Sequence, residues 1–333
     1  MQDLPSVSII IPCRNEKEFM PKCLDSLLAN HYPTDKMEIL IVDGMSHDGT
    51  RELIAGYAKK YPFISMLDNP KRITPSALNI GIKKSANNII VRIDAHAVYK
   101  TDYILKCVTY LKKYNADNIG GIWVIVPRKN TIIGRGIAKS LSSFFGTGNA
   151  YYKIGSESFR AVDTVPFGCY KKEIFTKIGF FNENLERSQD IEFNIRLKKN
   201  GGKVYLFPEI VGYYFARSRL KEFFIHNFKD GIWAVYPLRF IKIFFKFRHY
   251  IPLMFVSLLI IFFALSFVSN YFLFFLWGLA ASYLFSLVYF SAIISFLEKD
   301  FTYLFSLPLA FAARHFGYGF GSIWGAFKLI FNL

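Results

Sequence analysis

Short apolar runs alternate with amphipathic segments over the first 95 residues. Apolar, β-branched runs predict four strands, at 7–11, 38–42, 64–67 and 89–93. Helical spacing of apolar residues predicts helices at 18–30 and 74–86. Strands separated by helices of this length are typical of a mainly parallel sheet with helices on both faces. We therefore predict an α/β domain with a Rossmann-like sheet, whose ligands bind at the carboxyl ends of the strands.

The second half of the chain contains 48 consecutive uncharged residues, Tyr250 to Leu297. A helix needs about 20 apolar residues to cross a bilayer core of about 30 Å. The polar pair Ser269-Asn270 divides the run, which predicts a hairpin of spans at about 251–268 and 272–297. A further apolar segment, 303–327, is interrupted by Arg314-His315. It is either a third span, with Arg314 paired to a lipid diphosphate or a carboxylate, or a re-entrant segment.

Positive charge is concentrated just before this hairpin. Residues 216–249 carry eight basic side chains against only Glu222 and Asp230, in a chain of net charge +16. This pattern indicates a cytoplasmic location and attraction to anionic headgroups. Aromatic residues lie between the basic ones, which is typical of amphipathic helices in the headgroup plane, and a core-facing helix pair is the alternative. No nucleic-acid-binding motif accompanies the charge, so nucleic acid is not an expected partner.

These patterns predict three parts. They are a catalytic domain at 1–215, basic amphipathic interfacial helices at 216–249, and a multi-pass membrane region at 250–333. The start of the chain has no basic segment followed by an apolar one, so we expect no signal peptide. The catalytic domain is then on the cytoplasmic side of the cell (inner) membrane.

Polar residues follow three of the predicted strands. Residues 12–16, Asp43 and Asp94 each follow a strand, so we expect them to converge on one edge of the sheet. Asp94-Ala95-His96 places a carboxylate and an imidazole two residues apart, and these groups suit Mg²⁺ or Mn²⁺. Such an ion would neutralise a diphosphate leaving group. The alternative is an ordinary surface Asp-X-His triplet.

A second acidic position opens a predicted helix at Gln189-Asp190. Asp190 is either a cap for that helix or a general base that takes a proton from an incoming hydroxyl. The residues themselves leave both interpretations open.

Taken together, the segments of residues 5–215 resemble family 2 glycosyltransferases with the GT-A fold. The resemblance lies in Pro12-Cys13-Arg14-Asn15-Glu16, Val42-Asp43-Gly44-Met45-Ser46-His47-Asp48-Gly49-Thr50, Ala77-Leu78-Asn79-Ile80-Gly81, Asp94-Ala95-His96 and Gln189-Asp190. The chain is most similar to the membrane-associated branch typified by succinoglycan-synthesis glycosyltransferases. That branch shares segments such as Val162-Asp163-Thr164-Val165, Gly179-Phe180-Phe181-Asn182-Glu183 and Gly201-Gly202-Lys203.

The resemblance implies roles for individual residues. The nucleotide sugar would be held by Pro12, Arg14, Asn15, Glu16, Asp43, Arg72, Asn79 and Asp94. Asp94 would be the metal-binding acid. His96 stands where many relatives have a second Asp, so metal binding, phosphate contact and loop shaping all remain open for it. Asp190 would be the base of an inverting, single-displacement transfer.

The resemblance also implies an activity: a metal-dependent glycosyltransferase of the hexosyltransferase class, using Mg²⁺ or Mn²⁺. The expected donor is a nucleotide sugar, a UDP-sugar by preference. The expected acceptor is a polyprenyl-phosphate-linked or other lipid-linked glycan in cell-surface polysaccharide or glycan synthesis. The chain lacks the Gln-x-x-Arg-Trp motif of processive synthases, so we expect non-processive transfer. The alternative function is a non-catalytic, membrane-anchored nucleotide-sugar sensor or scaffold.

Overall fold

The protein is described by a computed structural model that covers residues 4–332. Residues 1–3 and 333, which end the predicted first and last parts, lie outside the described range. The chain divides into two compact units. The first runs to Val124 and resumes at Gly155–Tyr214, and the second comprises Ile125–Ile154 and the chain from Phe215 onwards. The sequence prediction of a domain at 1–215 did not foresee that Ile125–Ile154 groups with the C-terminal part.

Within residues 4–332, nine strands form one sheet. They are β1 (Val7–Cys13), β2 (Met37–Asp43), β3 (Ile64–Asp68), β4 (Ile89–Arg92), β5 (Ala97–Tyr99), β6 (Asn118–Pro127), β7 (Arg160–Ala161), β8 (Cys169–Lys171) and β9 (Val204–Ala216). Their order is β3-β2-β1-β4-β8-β6-β9-β5, with β7 beside β9. The four strands predicted from the sequence are confirmed as β1 to β4, which pair in parallel.

The prediction of a mainly parallel sheet is wrong, because the sheet is mixed. Strand β8 pairs antiparallel with both β4 and β6, and β9 pairs antiparallel with β5 and β7. Several of these later strands are only two or three residues long. Such short strands carry too few alternating positions for a periodic signal. The architecture is that of a GT-A-like domain with a mixed sheet and flanking helices.

Thirteen α-helices lie within residues 4–332. They are α1 (Met20–Leu28), α2 (Thr50–Lys60), α3 (Thr74–Lys84), α4 (Tyr103–Lys113), α5 (Ile132–Leu141), α6 (Phe144–Thr147), α7 (Tyr151–Ile154), α8 (Glu173–Lys177), α9 (Gln189–Lys199), α10 (Leu220–Val235), α11 (Ile251–Ser266), α12 (Asn270–Glu298) and α13 (Tyr303–Ile330). Short 3₁₀ turns occur at Thr34–Lys36, Tyr236–Arg239 and Phe247–His249.

The core of the first unit fixes where its strands end. Every residue of β1 is buried except the half-buried Pro12, and α1 packs Cys23, Leu24 and Leu27 into the same core. Helix α3 lies so close to β1 that a methyl group on Gly81 would be 2.5 Å from Cγ2 of Ile10. Each fully buried aliphatic side chain contributes about 1.5–3 kcal/mol. This packing holds the carboxyl ends of β1, β2 and β4 rigidly at one edge of the sheet.

In the second unit, α13 packs tightly against α10. A methyl group on Gly321 would lie 2.0 Å from the carbonyl oxygen of Phe228, and one on Gly231 would lie 2.0 Å from that of Tyr318. Gly317 and Gly325 make similarly close approaches to α10. Small residues four apart allow helix backbones to approach in this way. The partner is a helix of the basic segment 216–249, so α10 buries one face against α13.

One helix of the described chain, α12, is long and apolar enough to cross a membrane. Helix α11 is apolar but has 16 residues, which is shorter than a typical span. Helix α13 is continuous through the predicted segment 303–327, and its Arg314 is bonded within the unit. Arg314 donates to the carbonyl oxygen of Gly146 and, at 2.7 Å, to Oδ1 of Asn227. Its partners are neutral oxygens, not the carboxylate or lipid diphosphate considered from the sequence.

Candidate active site

The loops that follow β1 and β2 are bonded to each other. The N–H of Asn15 donates to Oγ of Ser46 at 2.8 Å, and the N–H of His47 donates to Oδ1 of Asn15 at 3.1 Å. The N–H of Glu16 donates to Oγ1 of Thr50 at 2.9 Å. Asn15 has a φ of 55°, a left-handed conformation that Asn tolerates better than most residues. The predicted convergence of the loops after β1 and β2 is therefore confirmed.

Asp43 is fully buried at the end of β2. Its carboxylate accepts hydrogen bonds from the N–H of Ser46 at 3.0 Å and from Nη1 of Arg51 at 2.6 Å, and the Cys13 thiol lies 3.7 Å away. Burial alone would raise the pKa of Asp43, but the hydrogen bonds from Ser46 and Arg51 outweigh it and hold that pKa below its usual value. Asp43 thus remains a carboxylate that shapes the 43–51 loop. Its contact with the nucleotide base stays a prediction.

Two other predicted donor-binding residues, Arg14 and Arg72, are exposed, and Pro12 is half-buried. Arg72 also has a left-handed φ of 58°, just before α3. Asn79 is buried on α3, and its side-chain nitrogen donates to the carbonyl oxygen of Phe181 and to Oε1 of Glu183, both at 2.9 Å. The N–H of Phe181 in turn donates to Oδ1 of Asn79 at 3.0 Å. Asn79 therefore anchors the 181–183 loop, and donor contact by these residues stays a prediction.

The Asp94-Ala95-His96 triplet follows β4 at the same edge. The Asp94 side chain is 19% exposed, and Nδ1 of His96 lies 3.1 Å from Oε1 of Glu16. The His96 ring also makes an edge contact with Tyr214, with ring centroids 5.5 Å apart. Glu16 follows β1, so the structure brings the ends of β1 and β4 together, as predicted. It assigns Glu16 a contact that the sequence did not suggest, with an imidazole.

Asp190 lies in the first turn of α9. One carboxylate oxygen, Oδ1, accepts the N–H of Ile191 at 2.9 Å, so part of the predicted capping role is present. The other oxygen, Oδ2, lies 3.9 Å from Nη1 of Arg92. The same guanidinium places Nη2 3.3 Å from Oδ1 of Asp94. The predicted metal-binding acid and the predicted base therefore face one shared cation.

The start of α9 is held by contacts further along the helix. Glu192 is buried and accepts from Nε of Arg196 at 2.8 Å. Arg196 also donates to the carbonyl oxygens of Gly179 and Phe180, at 2.9 and 2.8 Å. Such charge-assisted bonds are stronger than neutral ones. They fix the first turn of α9, and with it Asp190, against the 179–180 loop.

Arg92 is the residue of this site that our sequence analysis missed. Its side chain is 9% exposed at the end of β4, which is otherwise apolar. A charged residue inside a buried strand is rare unless it is paired. That local exception was the available signal. Glu183 was noted only as part of a family segment, and it forms an ion pair with Lys71 at 2.7 Å.

The residues present fit a divalent ion only if the substrate supplies further ligands. Within residues 4–332, no cluster of three or more His, Cys, Asp or Glu side chains could hold a metal by itself. Asp94 offers a carboxylate, and His96 has its Nδ1 turned towards Glu16, which leaves Nε2 for another partner. Ions such as Mg²⁺ commonly bind one or two protein groups plus substrate phosphates. The donor set matches that pattern.

Comparisons with known proteins agree with this geometry. The family model described as Glycosyl transferase family 2 matches residues 8–175. The chain is 32% identical over 230 residues to the dolichyl N-acetyl-alpha-D-glucosaminyl phosphate 3-beta-D-2,3-diacetamido-2,3-dideoxy-beta-D-glucuronosyltransferase of Methanococcus voltae, covering 68% of this chain and 71% of that protein. It is 28% identical over 228 residues to the succinoglycan biosynthesis protein ExoA of Rhizobium meliloti, covering 67% of each.

A solved structure shows the same fold over nearly the whole chain. It is the mannosyltransferase PcManGT from Pyrobaculum calidifontis in complex with GDP-Man and Mn²⁺, with a TM-score of 0.60, 17% identity, and coverage of 99% of this chain and 88% of that one. At this identity the likeness concerns the fold alone. The extent of the family match and the identity to the archaeal relative show that this chain belongs to glycosyl transferase family 2 and is a glycosyltransferase.

Proposed function

We propose that the protein is an inverting, divalent-metal-dependent glycosyltransferase that moves a sugar from a nucleotide-sugar donor, a UDP-sugar by preference, to a lipid-linked acceptor. The observation that carries the proposal is the pairing of Asp94 and Asp190 across Arg92. These carboxylates come from two elements about 100 residues apart in the chain, and they lie 3.3 and 3.9 Å from the same guanidinium. One acid near the leaving group and one near the acceptor are the two charges that a single displacement requires.

Asp94 and His96 are the residues that would hold the metal ion, Mg²⁺ or Mn²⁺. When bound, such an ion neutralises the charge that develops on the leaving diphosphate. Glu16 orients the His96 ring through Nδ1, and an outer carboxylate of this kind is usual for metal-binding histidines. This assignment favours metal binding among the three roles left open for His96.

Asp190 would act as the general base. The acceptor hydroxyl attacks C1 of the donor sugar, its proton passes to the Asp190 carboxylate, and the bond from C1 to the nucleoside diphosphate breaks. In-line attack inverts the configuration at C1. The free Oδ2 atom of Asp190 is the available proton acceptor, because Oδ1 already accepts the Ile191 N–H.

A membrane-presented acceptor is supported by the apolar hairpin of α11 and α12. Large apolar side chains on it are exposed, for example Phe267, Tyr271 and Phe274, each at more than three-quarters of its accessible area. An exposed apolar surface of this kind marks a contact with membrane or protein. The name of the Methanococcus voltae relative specifies a dolichyl-phosphate-linked acceptor, which supports a polyprenyl-phosphate-linked acceptor here. The domain would lie on the cytoplasmic side of a multi-pass protein.

A screen of UDP-, GDP- and dTDP-sugars, with and without Mn²⁺ and chelator, tests this function. We expect one nucleotide class to bind in a metal-dependent manner and to release nucleoside diphosphate when a lipid-linked acceptor is added. The product should carry the inverted anomeric configuration by NMR. Transfer with retained configuration, or full activity in chelator, would reject the proposed mechanism.

A further inference from the structure

Arg92 is a buried cation that contacts two carboxylates from different elements. Its side chain is 9% exposed, Nη2 lies 3.3 Å from Oδ1 of Asp94, and Nη1 lies 3.9 Å from Oδ2 of Asp190. We propose that Arg92 is a positioning residue that holds the base Asp190 in register with the acid Asp94. The inference rests on the proposed function, because it takes Asp190 as the proton acceptor.

The chemistry of the guanidinium suits this role. It stays protonated in proteins, and its planar fork directs separate nitrogens at separate partners. Two carboxylates that face each other without a cation repel, and such repulsion at a few ångströms is substantial inside a protein. Arg92 places one positive charge between the two, which allows both to remain ionised at a short separation.

The backbone around Arg92 fixes where the guanidinium lies. Arg92 ends β4, its Cα pairs with that of Ile10 in the parallel ladder, and its N–H donates to the carbonyl oxygen of Gly168 at 2.9 Å. A strand anchored on both sides does not shift easily. Asp190 therefore takes its position from Arg92, and not the reverse.

The contact to Asp190 is longer than a hydrogen bond. Nη1 of Arg92 is buried and has no hydrogen-bond partner among the described residues. Buried N–H groups are usually bonded, since an unbonded one is unfavourable. A movement of Asp190 by about 1 Å towards Arg92 would satisfy Nη1 and complete an ordinary hydrogen bond. Arg92 is thus poised to hold Asp190 once the acceptor site is ordered.

A direct contact between Arg92 and the donor is the competing role, and the two roles differ in what they affect. A donor-binding cation contributes to nucleotide affinity. A positioning residue acts through Asp190, so its loss lowers kcat and leaves donor affinity nearly unchanged. Misplacing a catalytic group by about 1 Å costs on the order of 10²-fold in rate.

The experiment is a double-mutant cycle of Arg92→Met and Asp190→Asn in the full-length protein in detergent. We expect Arg92→Met to lower kcat about 100-fold, with donor Kd changed less than about threefold. Arg92→Lys, which keeps the charge, should recover about tenfold of that loss. In the Asp190→Asn background, Arg92→Met should lower kcat by less than about threefold more, because residues that act as a unit are not additive.

Several outcomes would overturn the inference. These are a full further 100-fold loss in the Asp190→Asn background, a donor Kd weakened as much as in Asp94→Ala, and an Arg92→Lys variant no better than Arg92→Met. The matched control is Arg51→Met, another arginine beside a buried carboxylate, which should raise donor KM more than it lowers kcat. Thermal melting reports folding, and if Arg92→Met does not fold, the cycle with Arg92→Lys decides. An inactive wild type would reject the proposed function, whereas an active wild type with an additive cycle rejects only the role of Arg92.

Discussion

Glu16 and His96, 80 residues apart in the chain, meet at 3.1 Å between Oε1 and Nδ1. In a neutral imidazole, a proton on Nδ1 that is donated to Glu16 leaves Nε2 as the nitrogen with a free lone pair. Proteins orient metal-binding histidines in this way, through a carboxylate on the opposite ring nitrogen. The edge contact with Tyr214 further limits rotation of the ring. The His96 ring is therefore held with one nitrogen committed and the other available.

The identity of the residue at position 96 should set metal preference. Replacing imidazole with a carboxylate in His96→Asp favours harder ions, so we expect the ratio of activity with Mn²⁺ to that with Mg²⁺ to fall about tenfold. Removing the orienting carboxylate in Glu16→Leu should weaken Mn²⁺ affinity about 10–100-fold. Electron paramagnetic resonance titration of Mn²⁺ with UDP present measures the affinity directly. Unchanged Mn²⁺ binding in both variants would show that His96 only shapes its loop.

Loss of the acid at position 94 should abolish metal-dependent transfer. In Asp94→Ala the diphosphate loses the side chain that would bind its counter-ion, so we expect at least a 10³-fold drop in kcat/KM. Calorimetric titration with UDP and Mn²⁺ should show no metal-enhanced binding. Asp35→Ala, an exposed acid of the same unit, is the control and should behave as wild type. Activity of Asp94→Ala that is equal with and without chelator, and near the wild-type level, contradicts the assignment.

Asp190→Asn should separate binding from chemistry. The amide keeps the size of the side chain and can still accept the Ile191 N–H, but it cannot take a proton. We expect kcat to fall about 10²–10⁴-fold with donor affinity close to wild type. Glu186→Gln, an exposed acid four residues earlier, is the matched control. A wild-type rate in Asp190→Asn would leave Asp190 with its capping contact only.

The ion pair between Asp43 and Arg51 should make stability depend on acid pH. The pKa of Asp43 is lowered, so its contribution to stability is complete above the unfolded value of about 4 and is lost as pH falls through the lower folded pKa. In Arg51→Met the burial effect is less opposed and the folded pKa rises. We expect acid unfolding, followed by tryptophan fluorescence, to begin at higher pH, and stability at pH 7 to fall by about 2 kcal/mol. Lys59→Met, an exposed change on α2, should alter neither quantity.

The α11–α12 hairpin should cross the membrane from the cytoplasmic side. The four native cysteines are buried, so single introduced cysteines can be labelled over a low background. An impermeant maleimide should label Ser269→Cys in intact cells, and Lys242→Cys and Lys299→Cys only after permeabilisation. The last two positions flank the hairpin. Protection of Ser269→Cys under both conditions would place the tip inside the bilayer, and external labelling of Lys242→Cys would reverse the predicted topology.

The sequence by itself determined the elements whose signal is local. Strands β1 to β4 and helices α1 and α3 were predicted because apolar residues recur with the period of each element over five or more positions. The placement of Glu16, Asp43 and Asp94 at one sheet edge followed from the parallel order of those strands. The stripe of Gly317, Gly321 and Gly325 predicted a close helix contact through its spacing of four.

Tertiary structure alone decided which distant residues meet. No local period indicates that Asn79 is occupied by the loop at Phe181, or that Arg92 reaches Asp190, because each contact depends on where two separate elements cross. The same holds for α13, whose glycines could have faced any helix and lie against α10. Short antiparallel strands such as β5 and β8 depend on pairing with neighbours for their stability. Their hydrogen bonds, and not their side-chain pattern, make the sheet mixed.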